Sequence, residues 1–247
     1  MTTTNILITG ANRGLGLGIL KRFLALPNHT IIALVRDPGH PSSVALSSLP
    51  KATGTTLIIL KTEGTNWQDP LDAISQLETE HDIHHLDIVL ANAGTGKIYP
   101  TVKDVLRKDI VEHIEINVFS AVALYQATRP LLEKAAKPVF AIMGSSAGAL
   151  GRQANVPNAA YGAAKSMVHW YGVRINAEDG DWLISLVLDP GWVATDTGNY
   201  AGKLLGIGDA PGKVDESCDG MFQVLTTATK EKYGGKMVLW TGEVLDW

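Results

Sequence analysis

The chain has 247 residues, of which 45% are apolar and 19% charged, and its 21 basic and 25 acidic side chains give a formal net charge of −4. This composition excludes an intrinsically disordered chain, and the length suits one large domain or two small ones. A slightly acidic chain without a basic block argues against nucleic acid or an anionic membrane as the main partner, so we expect neither.

The cysteine content and the N-terminus indicate the compartment. Cys218 is the only cysteine, which excludes an intrachain disulfide and a zinc site built from thiolates. The first residues, MTTTNILITG, lack the basic start and the long apolar core of a signal peptide. Apolar runs are far shorter than the roughly 20 residues that span a bilayer. We therefore expect a cytoplasmic protein.

Short aliphatic and β-branched runs recur along the chain, each followed by a turn and an amphipathic segment. The runs are apolar on both faces, which is typical of strands buried in a parallel sheet. The predicted strands span 5–9, 30–35, 56–60, 87–90, 139–143, 182–188 and 237–239. The predicted helices span 15–26, 69–80, 103–134 with a break, 159–177 and 214–228. This alternation predicts one α/β domain over residues 1–247, a Rossmann-type doubly wound parallel sheet of about seven strands with helices on both faces.

The first predicted strand ends in a glycine-rich turn, Thr9-Gly10-Ala11-Asn12-Arg13-Gly14-Leu15-Gly16. Glycines at such a turn let the backbone approach a pyrophosphate, and the helix N-terminus supplies unpaired N–H groups and the positive end of its dipole. Glycine-rich turns between a strand and a helix also occur without a ligand. The position of this one, in the first such turn of a doubly wound sheet, favours dinucleotide binding.

The end of the second predicted strand bears on the choice of cofactor. Arg36 and Asp37 follow that strand, and in sheets of this kind the strand end faces the adenine ribose. An acidic residue there favours the 2′-hydroxyl of NAD, whereas an arginine favours the 2′-phosphate of NADP. Arg13 in the glycine-rich turn would add a second guanidinium. A solvated turn pair is the alternative for Arg36 and Asp37, and we favour NADP.

Further polar and small residues occur at strand ends and on helices. Tyr161 and Lys165, four residues apart, share one face of a predicted helix, and an ammonium near a phenol is expected to lower the pKa of the phenol from about 10. Ser145 follows a strand, where open α/β sheets bind ligands. Asn117 lies in an apolar helix, where an amide needs a hydrogen-bond partner. Asn92-Ala93-Gly94 and Pro190-Gly191 follow two other strands.

Taken in order, these motifs resemble the short-chain dehydrogenase/reductase family over nearly the whole chain. The matching residues are Thr9-Gly10-x-x-x-Gly14-x-Gly16, Asn92-Ala93-Gly94, Asn117, Ser145/Ser146, Tyr161-x-x-x-Lys165 and Pro190-Gly191. Within the family, the segment 156–162 and the ending 241–247 resemble the fungal ketoreductases similar to norsolorinic acid ketoreductase and the sniffer-type carbonyl reductases.

The resemblance implies the roles of the site residues. Tyr161 would donate the proton in reduction, and Lys165 would lower its pKa and bind the nicotinamide ribose. A serine would hold the substrate carbonyl oxygen, and Asn117 would anchor a water that links Lys165 to solvent. The expected cofactor-binding residues are Gly10, Asn12, Arg13, Gly14, Leu15, Gly16, Arg36, Glu63, Asn92, Ala93, Gly94, Tyr161, Lys165, Pro190, Gly191, Val193 and Thr195.

Three positions depart from the family pattern. Glu63 stands near the end of the third strand, where the family usually has an aspartate that contacts adenine. The catalytic serine is ambiguous: the spacing to Gly148 selects Ser145, whereas the serine pair itself selects Ser146. We choose Ser145 because the glycine that follows fixes the turn. Asp189 precedes Pro190-Gly191, and the sequence assigns it no function.

The remaining features complete the prediction. The resemblance implies that the glycine-rich segment 192–212 forms a substrate lid, in which Trp192 and Tyr200 either stack on a flat substrate or pack within the lid. The segment 150–155 is expected to line the substrate pocket. Three histidines, His81, His84 and His85, are interpreted as a solvated loop, and we expect no metal site.

We therefore predict an NADPH-dependent carbonyl reductase that transfers hydride to a ketone or quinone-like carbonyl of a small molecule. The alternatives are an alcohol dehydrogenase that works mainly in the oxidative direction and a dinucleotide-sensing regulator without turnover. The resemblance also implies a homodimer or homotetramer that pairs through the helices around 111–132 and 159–177.

Overall fold

The computed structural model describes residues 3–247 and shows one sheet of eight strands. The strands are β1 (Thr4–Thr9), β2 (His29–Val35), β3 (Thr56–Lys61), β4 (Ile88–Ala91), β5 (Val139–Met143), β6 (Ile184–Asp189), β7 (Met237–Leu239) and β8 (Val244–Leu245). Their order in the sheet is β3-β2-β1-β4-β5-β6-β7-β8. Strands β1 to β7 pair in parallel and β8 pairs antiparallel to β7. The predicted doubly wound α/β sheet is confirmed, with β8 added at one edge.

The α-helices alternate with these strands. They are α1 (Gly14–Leu24), α2 (Pro41–Val44), α3 (Asp69–Glu80), α4 (Arg107–Ile114), α5 (Ser120–Leu132), α6 (Tyr161–Asp179), α7 (Asp196–Leu204), α8 (Val214–Thr226) and α9 (Lys230–Tyr233). Among residues 3–247 no helix is both long and apolar enough to cross a membrane.

Both faces of the sheet are buried, which explains why its strands are apolar throughout. Successive side chains of a strand point to opposite faces. In β1, Ile6 and Ile8 therefore pack on the side that holds apolar residues of α1 and α8. Leu7 between them packs on the side that holds residues of α3, α5 and α6.

The strand order reverses at β1, and this reversal locates the site. The chain runs outward from β1 through β2 to β3, then returns to place β4 on the other side of β1. A reversal of this kind leaves a crevice outside the carboxyl ends of the two central strands. Here those ends are Thr9 of β1 and Ala91 of β4, so both the glycine-rich turn and Asn92 border the crevice.

The sequence predicts a helix with a break over 103–134, and the structure shows no break in the helical stretch. The helical stretch runs through α4 and α5 without interruption, and the five residues between them, Glu115–Phe119, form a π-helical turn. Such a turn inserts an extra residue and re-aims the side chains around it, and it occurs most often at functional sites. Asn117 lies within it.

The predicted lid contains structure of its own. Helix α7 occupies its first half, and Val193 pairs with Gly212 as a short parallel bridge that closes the segment at its base. The sequence analysis did not predict α7, a nine-residue helix that contains two glycines, a residue with low intrinsic helix propensity.

Candidate active site

One cavity of about 1570 Å³ opens at the carboxyl edge of the sheet. Every site residue expected from the sequence lines this cavity. They are Gly10, Asn12, Arg13, Gly14, Leu15, Gly16, Arg36, Glu63, Asn92, Ala93, Gly94, Asn117, Ser145, Tyr161, Lys165, Pro190, Gly191, Val193 and Thr195. The structure thus brings together residues from all the motifs.

The glycine-rich turn has no room for side chains at its centre. A Cβ atom on Gly16 would lie 2.4 Å from the carbonyl oxygen of Gly10 and 2.6 Å from Nδ2 of Asn92. Gly10 and Gly14 have φ angles of +63° and +54°, in the left-handed region that favours glycine. The nearest atom to a Cβ on Gly14 would be Thr195 Cγ2 at 3.9 Å. The turn therefore offers bare backbone to the cavity, which fits a diphosphate group.

Helix α1 begins at this turn with an N-terminus suited to an anion. Its N-cap, Arg13, makes no side-chain capping hydrogen bond, and its first turn contains no acidic residue. The first N–H groups of a helix have no partner within the helix and carry a partial positive charge. In α1 they are left for a ligand such as a phosphate.

Asn92 and Thr9 hold the glycine-rich turn against β4. The Thr9 hydroxyl accepts hydrogen bonds from the backbone N–H groups of Asn92 (2.9 Å) and Ala93 (2.8 Å). The Asn92 side-chain amide in turn donates to the carbonyl oxygen of Thr9 (2.8 Å). Asn92 thus helps to fix the backbone of the glycine-rich turn.

Two cationic side chains lie free at the predicted adenine ribose end. Arg13 and Arg36 are exposed and, within residues 3–247, form no ion pair or side-chain hydrogen bond. One carboxylate oxygen of Asp37 accepts a hydrogen bond from the Gly39 N–H (2.8 Å) and thereby shapes the local turn. The Asn12 amide donates to the Ser42 hydroxyl (2.7 Å), which joins the glycine-rich turn to helix α2.

Glu63 also lines the cavity, in a loop organised by a residue that sequence analysis missed. Asp69, buried at the start of α3, accepts a hydrogen bond from the Glu63 N–H (2.8 Å). Lys61 lies 3.4 Å from the same carboxylate. The Glu63 backbone is therefore fixed, and the predicted contact between its side chain and adenine stays a prediction.

Tyr161 and Lys165 lie on the first turns of α6 and face the cavity. Lys165 is 4% exposed, and its Nζ donates to the carbonyl oxygen of Met143 (2.6 Å) at the end of β5. The same nitrogen lies 5.7 Å from the centre of the Tyr161 ring. Burial lowers the pKa of Lys165 to about 8, and the charge of Asp189 opposes this shift.

The expectation that Lys165 lowers the pKa of Tyr161 is wrong for this structure. Burial raises that pKa above the usual value for tyrosine, and Tyr99 and Asp189 raise it further. The Ser145 side chain opposes the shift, whereas the Lys165 ammonium is directed to Met143 instead. Desolvation disfavours the phenolate more than the neighbouring groups stabilise it. Tyr161 is therefore a neutral phenol near pH 7.

The geometry separates the two serines. The Ser145 side chain interacts with the Tyr161 hydroxyl and opposes the rise of its pKa. The backbone N–H of Ser145 donates a hydrogen bond to Nε2 of His169 (3.2 Å). Ser146 instead directs its hydroxyl to the Asp189 carboxylate. A Cβ on Gly148 would lie 2.6 Å from the backbone of α6, so this glycine lets residues 145–148 pack closely against that helix. The arrangement favours Ser145 as the group that faces a substrate.

The Asn117 amide is satisfied by the backbone, as a buried amide requires. It donates to the carbonyl oxygens of Thr95 (3.0 Å) and His113 (2.9 Å), and its oxygen accepts from the Thr95 N–H (3.0 Å). Gly94 separates this amide from Lys165: a Cβ on Gly94 would lie 2.8 Å from Asn117 Oδ1 and 3.8 Å from Lys165 Nζ. The predicted water relay through Asn117 stays a prediction.

Sequence analysis missed two buried histidines beside the site. His113 packs edge-on against Tyr161 with ring centres 6.5 Å apart, and its two ring nitrogens meet the carbonyl oxygen of Asp109 (2.7 Å) and the N–H of Lys97 (3.3 Å). Burial and Lys165 lower the pKa of His169 to about 3, so His169 is neutral. The signal was helical spacing, because each histidine lies four residues from a predicted site residue, Asn117 or Lys165.

Residues after β6 form another part of the cavity wall. Gly191 has a φ angle of +74°, so the Pro190-Gly191 turn needs glycine at this position. The Thr195 hydroxyl accepts from the Gly198 N–H (3.1 Å) and caps α7. Val193 holds the base of the lid through its bridge to Gly212.

The part of the cavity predicted to hold the substrate is lined by both apolar and polar residues. Leu150 and residues 152–155 line it as predicted, together with Trp192 and Ile207 of the lid. Trp192 is 40% exposed and therefore available to a ligand. Tyr200 is not among the lining residues, so stacking on a substrate is supported for Trp192 alone. Within residues 3–247 no cluster of potential metal ligands is present.

Comparison with known proteins agrees with this geometry. A family model described as short chain dehydrogenase matches residues 4–203. Norsolorinic acid ketoreductase of Dothistroma septosporum is 39% identical over 241 residues, which cover 96% of this chain and 89% of that protein. A norsolorinic acid ketoreductase of Emericella nidulans is 33% identical over 248 residues, covering 99% and 94%.

Solved structures give the same result. An NADPH-bound carbonyl reductase from chicken fatty liver has a TM-score of 0.86 and 26% identity, and the match covers 100% of both chains. The carbonyl reductase Sniffer of D. melanogaster shares the fold, with a TM-score of 0.87 and 23% identity over 99% of this chain and 100% of that one. This chain is an oxidoreductase that belongs to the short-chain dehydrogenase family.

Proposed function

We propose that the protein is an NADPH-dependent carbonyl reductase that acts on a ketone or quinone-like carbonyl, with Tyr161 as the general acid. The observation that carries the proposal is the meeting of Ser145 and Tyr161 in a cavity that also contains the bare glycine-rich turn and the uncapped N-terminus of α1. A hydride donor bound along that turn and a carbonyl held by the two hydroxyls would share one cavity.

The chain's own residues supply binding, orientation and the proton. When bound, a reduced nicotinamide supplies the hydride. Ser145 donates a hydrogen bond to the carbonyl oxygen, where negative charge develops. Tyr161, a neutral phenol, gives its proton to the same oxygen. The carbonyl oxygen of Met143 anchors Lys165 through a hydrogen bond. We assign to Lys165 the binding of the nicotinamide ribose and the replacement of the proton that Tyr161 gives up.

The state of Tyr161 favours reduction over oxidation as the working direction. Reduction needs a phenol that carries its proton, whereas oxidation of an alcohol needs a phenolate. Burial keeps the phenol protonated near neutral pH. Alcohol oxidation would therefore require a more alkaline solution, where the phenolate forms.

The preference for NADPH rests on charge. Within residues 3–247, Arg13 and Arg36 have no ion-pair partner, and both line the cavity. One oxygen of Asp37, the carboxylate considered for the ribose, accepts a hydrogen bond within its own turn. A 2′-phosphate would pair with the guanidinium groups through forked hydrogen bonds. The carbonyl reductase from chicken fatty liver is bound to NADPH, which supports the same cofactor. That protein and the ketoreductases named above support the same class of reaction.

Titration with NADPH and NADH, followed by energy transfer from tryptophan, tests the cofactor preference without a substrate. The native protein should bind NADPH more tightly, and Arg36→Ala should weaken NADPH at least tenfold while changing NADH less than twofold. Arg174→Ala is the matched control, because Arg174 lies on the surface of α6 paired with Glu178. Equal losses for the two cofactors would contradict the phosphate assignment, and binding of neither would refute the dinucleotide site.

We also propose that copies pair through the helices predicted for this purpose. Trp170 and Val173 on α6 are 60% and 38% exposed, and Val111 on α4 is 37% exposed. Burial of such side chains would supply the apolar centre of an interface. Light scattering during size-exclusion chromatography should give the mass of two or four copies. The mass of a single chain at micromolar concentration would contradict the pairing.

A further inference from the structure

Asp189 is a buried acidic residue to which the family pattern assigns no role. It is the last residue of β6 and is 1% exposed. Its side chain lies between two segments that line the cavity. One is the serine turn, residues 145–148 after β5, and the other is the glycine turn, residues 190–191 after β6.

Each carboxylate oxygen of Asp189 holds one of these turns. Oδ1 accepts a hydrogen bond from the Gly191 N–H at 2.8 Å. Oδ2 accepts a hydrogen bond from the Ser146 hydroxyl. The carboxylate therefore bridges the turn that positions Ser145 and the turn whose left-handed Gly191 lies at the predicted nicotinamide position.

The charge of Asp189 is not neutralised by a direct partner. Throughout the described chain, residues 3–247, no lysine, arginine or histidine nitrogen forms an ion pair with it. An asparagine could make both hydrogen bonds, because its oxygen accepts from Gly191 and its NH₂ group donates to the Ser146 oxygen. A buried charge is costly where a neutral group would serve, so the presence of a carboxylate indicates that the charge itself has a use.

We propose that Asp189 is a positioning residue whose carboxylate ties the serine turn to the glycine turn, and so holds the substrate carbonyl and the nicotinamide in register. The inference rests on the proposed function, because it assigns the substrate to one turn and the cofactor to the other. Asp189 touches neither reactant in this account and acts through Ser146 and Gly191.

The same charge acts on the proton-carrying groups, which provides a readout that a purely structural bridge would lack. Asp189 raises the pKa of both Lys165 and Tyr161. The other groups facing this pair are Ser145, Tyr99, His113 and the neutral His169. Removal of one negative charge lowers the pKa values of the coupled pair together. The alkaline limb of the rate of reduction should therefore move to lower pH.

Four variants of the full chain test the proposal, with NADPH and the probe 9,10-phenanthrenequinone. Asp189→Asn keeps the hydrogen bonds and should leave the NADPH Kd within threefold, while its alkaline limb moves down by about one pH unit. Ser146→Ala should lower kcat about tenfold with an unchanged alkaline limb and an unchanged NADPH Kd. Asp189→Ala should lower kcat at least a hundredfold and weaken NADPH about tenfold. Asp181→Asn removes an exposed charge outside the cavity and should match the native protein.

The outcomes separate this proposal from the proposed function. If the native protein neither binds NADPH nor reduces the quinone, the proposed function fails. If it does both, and Asp189→Ala and Ser146→Ala keep kcat and the NADPH Kd within twofold, the positioning role is refuted while the function stands. If thermal unfolding shows that Asp189→Ala does not fold, the test rests on Asp189→Asn and Ser146→Ala. Native kcat and a native pH profile in both of these variants would overturn the proposal.

Discussion

The glycine-rich turn makes a quantitative prediction for Gly16→Ala. The added methyl group would lie 2.4 Å from the Gly10 carbonyl oxygen and 2.6 Å from Asn92 Nδ2. Ordinary contacts begin near 3.5 Å, so each partner must move by about 1 Å. Neither can move easily, because Gly10 is held by the Leu34 carbonyl (2.8 Å) and Asn92 by Thr9 (2.8 Å).

The cost of this crowding can be converted into cofactor affinity. Overpacking of a well-packed site costs about 1–3 kcal/mol. The turn must adopt its native shape to bind a diphosphate, and 1.4 kcal/mol corresponds to about tenfold in affinity. Gly16→Ala should therefore weaken NADPH by about tenfold to a hundredfold, as measured by fluorescence titration.

Gly64→Ala is the matched control. Gly64 also lines the cavity, but its Cβ would meet Ser120 and Ile116 at 3.7 Å and 4.0 Å, which are ordinary contacts. The Kd of Gly64→Ala for NADPH should lie within twofold of that of the native protein. If Gly16→Ala also binds NADPH within twofold and unfolds at the native temperature, the turn is not the diphosphate site.

Two further predictions concern the rest of the molecule. Asp179 accepts hydrogen bonds from Tyr125, Arg129 and Trp182, so Asp179→Asn should lower the free energy of unfolding by about 1–3 kcal/mol at pH 7 in urea. Arg129 lowers the pKa of Asp179, so this contribution is present above the usual aspartate range and is lost as pH falls through the lowered value. The prediction is contradicted if the difference in unfolding free energy between the native protein and Asp179→Asn stays constant in acid. Burial raises the pKa of the Cys218 thiol to about 11, so a thiol reagent at pH 8 should label Cys218 only on unfolding, and rapid labelling of the native protein would refute its burial.

Much of the fold and the membership of the site could be predicted because the information is local. The strands of a buried parallel sheet are apolar throughout, and each motif stands directly after one of them. Since parallel strands end at one edge, Thr9, Ser145 and Pro190 had to meet there once the topology was known. Residues 139–143, 69–80 and 237–239 have the predicted bounds.

The remaining features depend on contacts between distant parts of the chain. Burial, and not the lysine four residues away, governs the pKa of Tyr161. The rings packed against Tyr161, those of Tyr99 and His113, come from distant parts of the chain. The two serines differ because Asp189 of the neighbouring strand binds one of them. Strand β8 has two residues and exists only because β7 offers it an edge. None of these contacts has a period or a spacing that a single sequence displays.

The central claim is that Tyr161 donates a proton to the reduced carbonyl in a site that binds NADPH independently of its hydroxyl. The most direct test measures NADPH consumption with 9,10-phenanthrenequinone, and NADPH affinity, for the native protein and Tyr161→Phe. General acid catalysis contributes about a hundredfold to ten-thousandfold, so the variant should lose that factor in kcat while its NADPH Kd stays within twofold. A variant that reduces the quinone at the native rate would contradict the account.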